Sequence, residues 1–103
     1  MRKLILLTAL MIPLFVQAAR PDTCLHVKNV ASLVMEWRQD GVEADSAVLS
    51  ISQAQANEQM YRAYIHIVID AYQTRRYETE MYRRNVIKEF ANKYYIACWK
   101  GTV

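Results

Sequence analysis

The chain downstream of residue 20 contains almost no residues that interrupt a helix. Glycine occurs only at Gly41 and Gly101, and the only proline in this part of the chain is Pro21. Because glycine and proline are the strongest breakers of regular structure, their scarcity favours long helices. The segment YIHIVID (residues 64–70) is β-branched and partly alternating like a strand, but its breaker-free flanks favour a helix. We therefore predict an all-α fold.

Capping and breaking residues mark the first two predicted helices. Asp22 or Thr23 is suited to cap the first helix, since both side chains accept hydrogen bonds from free N–H groups at a helix start. Gly41 ends this helix, because glycine tolerates the left-handed backbone of a helix end. The second helix is short and begins at a cap formed by Asp45 or Ser46.

The last two predicted helices are longer. The third covers about residues 54–74 and the fourth about residues 80–99. Apolar side chains spaced three, four and seven residues apart form the predicted inward-facing rows. Across the four helices these are Val27, Val30, Ala31, Val34, Trp37, Ala47, Val48, Ile51, Met60, Tyr61, Tyr64, Ile65, Val68, Ala71, Tyr72, Ile87, Phe90, Ala91, Tyr94 and Cys98. The expected fold is a small bundle of about four helices.

Two cysteines lie near the two ends of the predicted bundle. Cys24 lies near the start of the first helix and Cys98 on the inward row of the fourth. In an oxidising compartment, two cysteines in a small domain are typical of one disulfide. Closing a loop of about 75 residues should stabilise the fold by roughly 4 kcal/mol. A metal-binding thiol is the alternative, but only His26 lies close to Cys24, so we predict neither a metal nor another cofactor.

Residues 1–18 have the pattern of a secretory signal peptide. A short basic start (MRK) precedes an apolar run over residues 4–16, and the segment ends in VQA. An uncleaved anchor is the alternative, but the apolar run is shorter than the roughly 20 residues that span a bilayer. We predict cleavage after Ala18, which leaves residues 19–103 as one helical domain in the periplasm or outside the cell, with no stable membrane span.

The predicted exported chain is close to electrically neutral. The full sequence has a net charge of +3, from 13 Lys and Arg against 10 Asp and Glu. Loss of Arg2 and Lys3 leaves 11 basic residues against the same 10 acidic residues, a net charge of +1. A near-neutral chain has no strong general attraction for nucleic acid or for anionic membranes. We therefore expect no nucleic-acid partner.

The segment AYQTRRYETEMYRR (residues 71–84) interleaves tyrosines with arginines. Such a composition occurs in base-stacking surfaces, but tyrosine and arginine are also enriched in protein–protein hot spots. The near-neutral charge favours the second interpretation. The structural alternative is that some tyrosines pack in the core and the arginines are solvated. The candidate partner-binding residues are Tyr72, Arg75, Arg76, Tyr77, Tyr82 and Arg83.

A polar stripe runs along the predicted third helix. Its members follow at four-residue spacing and therefore share one slowly drifting face; they are Glu58, Arg62, His66 and Asp70. One interpretation is an acid–base site or pH sensor centred on His66. The alternative is a solvated face with weak ion pairs. Because the local sequence places no serine or cysteine nucleophile beside His66, we predict no catalytic residue.

Several packing and turn motifs occur in the order VMEWRQDGV, IVIDAY, RY, IKEF and YYIAC. In this order and spacing the chain resembles a group of small exported bacterial and phage-associated proteins of unknown function, with a Cys…RQxGV…IVxxAY…Cys pattern. The resemblance covers nearly all of the chain after the predicted signal peptide. It implies a helical fold with two terminal cysteines and assigns no chemistry to any residue. In architecture alone, the chain is also similar to the periplasmic acid-stress chaperones.

Three functions follow as hypotheses. The leading one is a small periplasmic or secreted protein-binding factor (an inhibitor, immunity or regulatory protein) whose partner is another periplasmic or envelope protein. Small size, a disulfide and the Tyr/Arg segment favour it, and the sequence holds no catalytic constellation. The alternative is an acid-stress chaperone, with carboxylates paired to arginines as its switch. A small enzyme that uses His66 with Asp70 is the third.

Overall fold

The computed structural model describes residues 21–54 and 57–103. Within these ranges the chain forms helices joined by short connections and contains no strand. The all-α fold predicted from the sequence is therefore confirmed for this part of the chain. The four helices are α1 (Pro21–Asp40), α2 (Ala44–Ser52), α3 (Glu58–Tyr72) and α4 (Glu80–Lys100).

The predicted signal peptide, residues 1–18, lies outside the described residues. The helical domain predicted over residues 19–103 is described from residue 21 onward, apart from residues 55–56. Across the described ranges, no helix combines the length and the apolar character that crossing a membrane requires.

Glycines end both α1 and α4 in the left-handed conformation. The backbone φ is 87° at Gly41 and 77° at Gly101. After α1, the Gly41 N–H donates to the Arg38 carbonyl (3.2 Å) and the Val42 N–H donates to the Trp37 carbonyl (3.0 Å). This pair of bonds is a Schellman motif, which satisfies carbonyls left free at a helix end. The prediction that Gly41 ends the first helix is confirmed.

The predicted N-caps of α1 and α2 are wrong. The four candidates lie inside the first turns of these helices; they are Asp22, Thr23, Asp45 and Ser46. The residue before α2 is Glu43, whose side chain makes no capping hydrogen bond. Acidic side chains are also common in the first helical turn, because they interact favourably with the positive end of the helix dipole. The presence of an acidic residue therefore does not distinguish the N-cap position from the first turn.

α3 is shorter than the sequence pattern predicts. It begins at Glu58 rather than near residue 54, and it ends at Tyr72 rather than near residue 74. The Asn57 side chain accepts a hydrogen bond from the Met60 N–H (2.8 Å) and so sets the start of the helix. α4 matches its predicted range to within one residue.

α1 lies at the centre of the bundle. It packs most extensively against α4 and then against α3, while α2 packs against α3. Because α1 is covered on two sides, its buried face is wider than a single apolar row. The core residues are Val27, Ala31, Val34, Met35, Ala47, Ile51, Tyr64, Ile67, Val68, Ala71, Phe90 and Tyr94. Met35 and Ile67 were absent from the predicted rows, and Tyr61, predicted to face inward, is 37% exposed.

The Cys24–Cys98 disulfide is present, as predicted, and joins the first turn of α1 to the last turns of α4. Cys24 is completely buried. The start of α1 is bonded to the end of α4, and the end of α1 is hydrogen-bonded to the α3–α4 connection, which carries the Tyr/Arg segment. The two helices therefore run antiparallel.

Candidate functional site: the junction of α1 with the α3–α4 connection

The C-terminal end of α1 meets the α3–α4 connection in a polar contact that we call the junction. Side-chain hydrogen bonds cross it in both directions and end almost entirely on backbone groups. Its members are Arg38, Gln39, Gly41, Val42, Tyr72, Thr74, Arg75, Arg76, Tyr77 and Arg83. Five of the six predicted partner-binding residues therefore belong to the junction, and the sixth, Tyr82, lies with its ring 6.1 Å from the Tyr77 ring.

Gln39 lies at the centre of the junction and is only 1% exposed. Its amide nitrogen donates to the Arg75 carbonyl (2.9 Å), and its amide oxygen accepts from the Tyr77 N–H (2.8 Å). The same nitrogen lies 3.6 Å from the sulfur of Met35. One side-chain amide thus binds the backbone of the loop at two points, as an adjacent peptide group would. Burial of this polar side chain is tolerated because its amide is bonded on both sides.

Three arginines hold the same loop through their Nε atoms. Arg38 Nε donates to the Thr74 carbonyl (2.8 Å), and Arg83 Nε donates to the Tyr77 carbonyl (2.7 Å). Arg76 Nε donates in the opposite direction, to the Gln39 carbonyl (3.3 Å). That carbonyl belongs to the last turn of α1, where cationic donors are favoured by the helix dipole. The loop is therefore bonded to α1 and to α4 at the same time.

Tyr72 connects the end of α3 to the turn that follows α1. Its hydroxyl donates to the Val42 carbonyl (2.8 Å), and the Arg38 guanidinium lies 5.4 Å from the centre of its ring. Burial raises the pKa of the Tyr72 phenol, and the Arg38 charge lowers it in part. The net pKa lies above the ordinary value, so the hydroxyl keeps its proton at neutral pH and remains a donor.

The other three predicted residues make no side-chain hydrogen bond to the described residues; Tyr77 is half-buried, and Arg75 and Tyr82 are exposed. The Arg75 side chain is exposed and makes no hydrogen bond to the described residues; its guanidinium lies 5.1 Å from the centre of the Tyr77 ring. Tyr82 is 59% exposed. Together with Glu78 and Thr79, these side chains line a shallow recess. We call Arg75, Tyr77 and Tyr82 the exposed face of the junction.

The predicted partner-binding set thus divides into two groups by contact. Tyr72, Arg76 and Arg83 use their side chains to hold the fold. The exposed face consists of the half-buried Tyr77 ring, the exposed Tyr82 ring and the exposed Arg75 side chain, and the backbone of Arg75 and Tyr77 is bonded to Gln39. Partner binding by this face stays a prediction.

Gln39 was not among the predicted site residues, although it belongs to the RQxGV motif. It follows Ala31 and Met35 at four-residue spacing, so it continues the inward row of α1. A polar residue on an apolar row, two positions before a helix-ending glycine, was the signal that could have found it. The predicted inward row of α1 ended at Trp37 because it contained only apolar side chains.

The polar stripe of α3 does not form one connected site. Glu58, Arg62 and His66 are exposed, and the Arg62–Glu58 ion pair (3.0 Å) lies in solvent. The His66 ring packs edge-on against the Tyr94 ring, with centroids 6.3 Å apart, and makes no hydrogen bond to Asp70 among the described residues. His66 and Asp70 are therefore not joined by a hydrogen bond, and the acid–base or pH-sensing role of His66 stays a prediction.

Asp70 differs from the rest of the stripe because it connects α3 to α4. One of its carboxylate oxygens accepts from Lys93 Nζ (2.6 Å) and from the Tyr94 hydroxyl (2.7 Å), and its side chain is 28% exposed. Burial raises the pKa of Asp70. The two hydrogen bonds and the charges of Lys93 and His66 lower it by more than burial raises it, so the net pKa lies below its ordinary value. Burial and the bonded carboxylate raise the pKa of Tyr94.

No cluster of three or more His, Cys, Asp or Glu side chains within residues 21–54 and 57–103 has the arrangement of a metal site. A groove of about 610 Å³ lies between α1, α2 and α3, and its lining includes Leu33, Trp37 and Tyr64.

Comparisons with protein-family models, with curated proteins and with solved structures give no match. The functional interpretation therefore depends on the chemistry of the junction and of Asp70.

Proposed function

We propose that this chain is a small exported protein-binding factor, an inhibitor, immunity or regulatory protein, that acts on another periplasmic or envelope protein. The exposed face of the junction is its binding surface. Tyrosine and arginine offer large contact area and several hydrogen bonds at a modest cost in side-chain entropy, and they dominate the energetics of many interfaces.

The observation that supports this proposal most directly is the fixed shape of the loop beneath the exposed face. Backbone groups of Thr74, Arg75 and Tyr77 are each bonded by a side chain from α1 or α4. A loop whose backbone is held before binding loses little conformational freedom when a partner arrives. The backbone bonds at Arg75 and Tyr77 therefore fix the point from which both side chains extend.

The location proposed for this function agrees with the cysteine chemistry. The disulfide persists in oxidising compartments such as the periplasm and the extracellular space, and both cysteines of the chain are used in it. The basic and apolar pattern of residues 1–18 is that of an export signal.

Affinity capture from a periplasmic fraction, followed by mass spectrometry, tests the proposal. The test variant is Arg75→Glu with Tyr82→Ala, because neither side chain hydrogen-bonds within the described fold. A matched control is Tyr61→Ala with Arg62→Glu, which changes an exposed tyrosine and arginine on α3. We expect one protein enriched by the wild type and by the control, and lost with the test variant. Equal capture by all three proteins would contradict the proposal.

Asp70 favours a second candidate function, an acid-stress chaperone. The backbones of α3 and α4 approach each other less closely than either approaches α1, so the bonds from Lys93 and Tyr94 to Asp70 form a main link between these helices. Protonation of Asp70 in acid would weaken that link and expose apolar surface. A protein that stays folded and excludes a hydrophobic dye at about pH 2–3 would rule this candidate out.

A further inference from the structure

The arginines of the junction carry positive charge that no carboxylate neutralises. In the described part of the chain, the ion pairs are Arg62–Glu58 and Lys93–Asp70, and neither involves the junction. Residues 1–20 and 55–56 contain no aspartate or glutamate. The carboxylates nearest in sequence are exposed, and none lies within ion-pair distance of a junction arginine; they are Glu36, Asp40 and Glu43 around the end of α1, and Glu78 and Glu80 around the start of α4.

The hydrogen bonds of these arginines also leave their outer nitrogens available. Arg38, Arg76 and Arg83 each bind a backbone carbonyl through Nε. Within residues 21–54 and 57–103, the only guanidinium Nη atom that donates a hydrogen bond to protein is on Arg62. A guanidinium held at Nε keeps two Nη groups, and such donors match the oxygens of a carboxylate.

Aromatic and backbone contacts restrict the positions of the same guanidinium groups. The Arg38 group lies over the Tyr72 ring, and the Arg75 group lies over the Tyr77 ring. The Arg76 group lies against Gly41, where its Nη2 atom is 3.1 Å from the position that a Cβ would occupy. Fixed donors need less ordering on binding than free arginine side chains do.

From these observations we propose that the junction binds a short acidic segment of a partner protein, in which aspartate or glutamate carboxylates pair with the free guanidinium nitrogens. This inference rests on the proposed protein-binding function and specifies the chemistry of its partner. A short carboxylate segment fits better than nucleic acid, because a chain with a net charge of +1 after residue 18 has no strong general field for an extended phosphate backbone. A few carboxylates pair with individual guanidinium groups and need no such field.

Nuclear magnetic resonance titration of the oxidised protein tests the inference, with an oligo-glutamate peptide as the probe. We expect saturable shifts in the side-chain Nε–H signals of Arg38, Arg76 and Arg83 and in the backbone signals of residues 74–77. Addition of salt should reverse the shifts, because exposed charge pairs are screened. Oligo-lysine should leave these signals unchanged. Oligothymidylate is the third probe, and saturable binding of it at equal or higher affinity than oligo-glutamate would overturn the inference in favour of nucleic acid.

Arg75→Gln is the variant that reports on binding without disturbing the fold, since the Arg75 side chain makes no hydrogen bond to the described residues. We expect oligo-glutamate affinity to fall by about tenfold, as loss of one charge-assisted contact predicts. Arg75→Lys keeps the charge but lacks the planar fork, so it should recover only part of the affinity. Arg62→Gln is the matched control on α3 and should bind like the wild type. Unchanged affinity in Arg75→Gln would overturn the inference.

The two proposals fail in different ways. A protein captured through the exposed face that oligo-glutamate does not displace would overturn the acidic-segment inference and leave the protein-binding function standing. Saturable oligo-glutamate binding at the junction, with no captured protein that depends on Arg75 and Tyr82, would support the surface chemistry and contradict the proposed function.

Discussion

At its N-terminal end α1 is held by a covalent bond, whereas at its C-terminal end it is held by hydrogen bonds to a loop. The Cys24–Cys98 disulfide joins two helices directly, and neither cysteine lies in a loop. The junction bonds side chains of α1 to the backbone of the α3–α4 connection. A covalent link fixes a distance, but a set of directional bonds fixes a conformation. The end of α1 that is held by hydrogen bonds is the end beside which we propose the binding surface.

Removal of the disulfide should have the largest effect on stability. Its cysteines are 74 residues apart in sequence, and release of such a loop is expected to cost about 4 kcal/mol in free energy of unfolding. Urea unfolding of the wild type with and without a reductant measures this cost. A variant with both Cys24→Ala and Cys98→Ala serves as the control, because reductant should leave its midpoint unchanged. An equal midpoint for oxidised and reduced wild type would contradict the prediction.

Gln39→Leu should have the next largest effect. Leucine removes both amide bonds and leaves the Tyr77 N–H and the Arg75 carbonyl without their buried partner, which should cost about 3 kcal/mol. Gln59→Leu, at an exposed position of α3, is the matched control. Faster hydrogen exchange of the Tyr77 amide in Gln39→Leu would show that the lost hydrogen bonds are those of the junction. If Tyr77 keeps its protection in Gln39→Leu, the central role of Gln39 in the junction is wrong.

Gly41→Ala should destabilise the protein by about 1–2 kcal/mol, because alanine is disfavoured at the positive φ of 87° that this position adopts. Its Cβ would also lie 3.1 Å from Arg76 Nη2. Gly101→Ala is the matched control, since it has a similar φ of 77° but no atom within 4 Å of the added Cβ. The difference between the two variants, measured by urea unfolding, isolates the Arg76 contact. A smaller loss at Gly41 than at Gly101 would contradict this account.

Most of the fold could be predicted from the sequence because it depends on local signals. The two glycines, the apolar spacing and the pair of cysteines predicted the helices and their covalent link correctly. The errors concern residues whose burial depends on tertiary contacts. Ile67 and Met35 are buried because neighbouring helices cover a second side of their own helices, and the spacing of a single apolar row does not predict this.

The candidate site was less predictable, because its members are separated by more than 30 residues. The Tyr/Arg composition selected a segment that the structure places at the junction. It did not distinguish Arg83, which binds a carbonyl, from Arg75, which faces solvent. That distinction requires knowing that the end of α1 meets the α3–α4 connection. Gln39 was overlooked for the same reason, since its partners lie 36 and 38 residues away.

The smallest expected effect concerns Asp70, which links α3 to α4 outside both ends of α1. Its pKa in the folded protein lies below the ordinary value, so its stabilising contribution is fully present above the unfolded pKa of about 4 and is lost as the pH falls through the folded pKa. We expect Asp70→Asn to be less stable than the wild type by about 1 kcal/mol at neutral pH, with the difference shrinking toward zero in acid.

Urea unfolding of both proteins between about pH 7 and about pH 2 measures this difference. Glu58→Gln, which removes only the exposed pair with Arg62, is the control and should change stability less. A gap between wild type and Asp70→Asn that stays constant down to about pH 2 would show that the bonds to Lys93 and Tyr94 do not depend on the charge of Asp70. The acid-stress hypothesis would then lose its structural support, and the junction would remain as the part of the molecule through which function is expected.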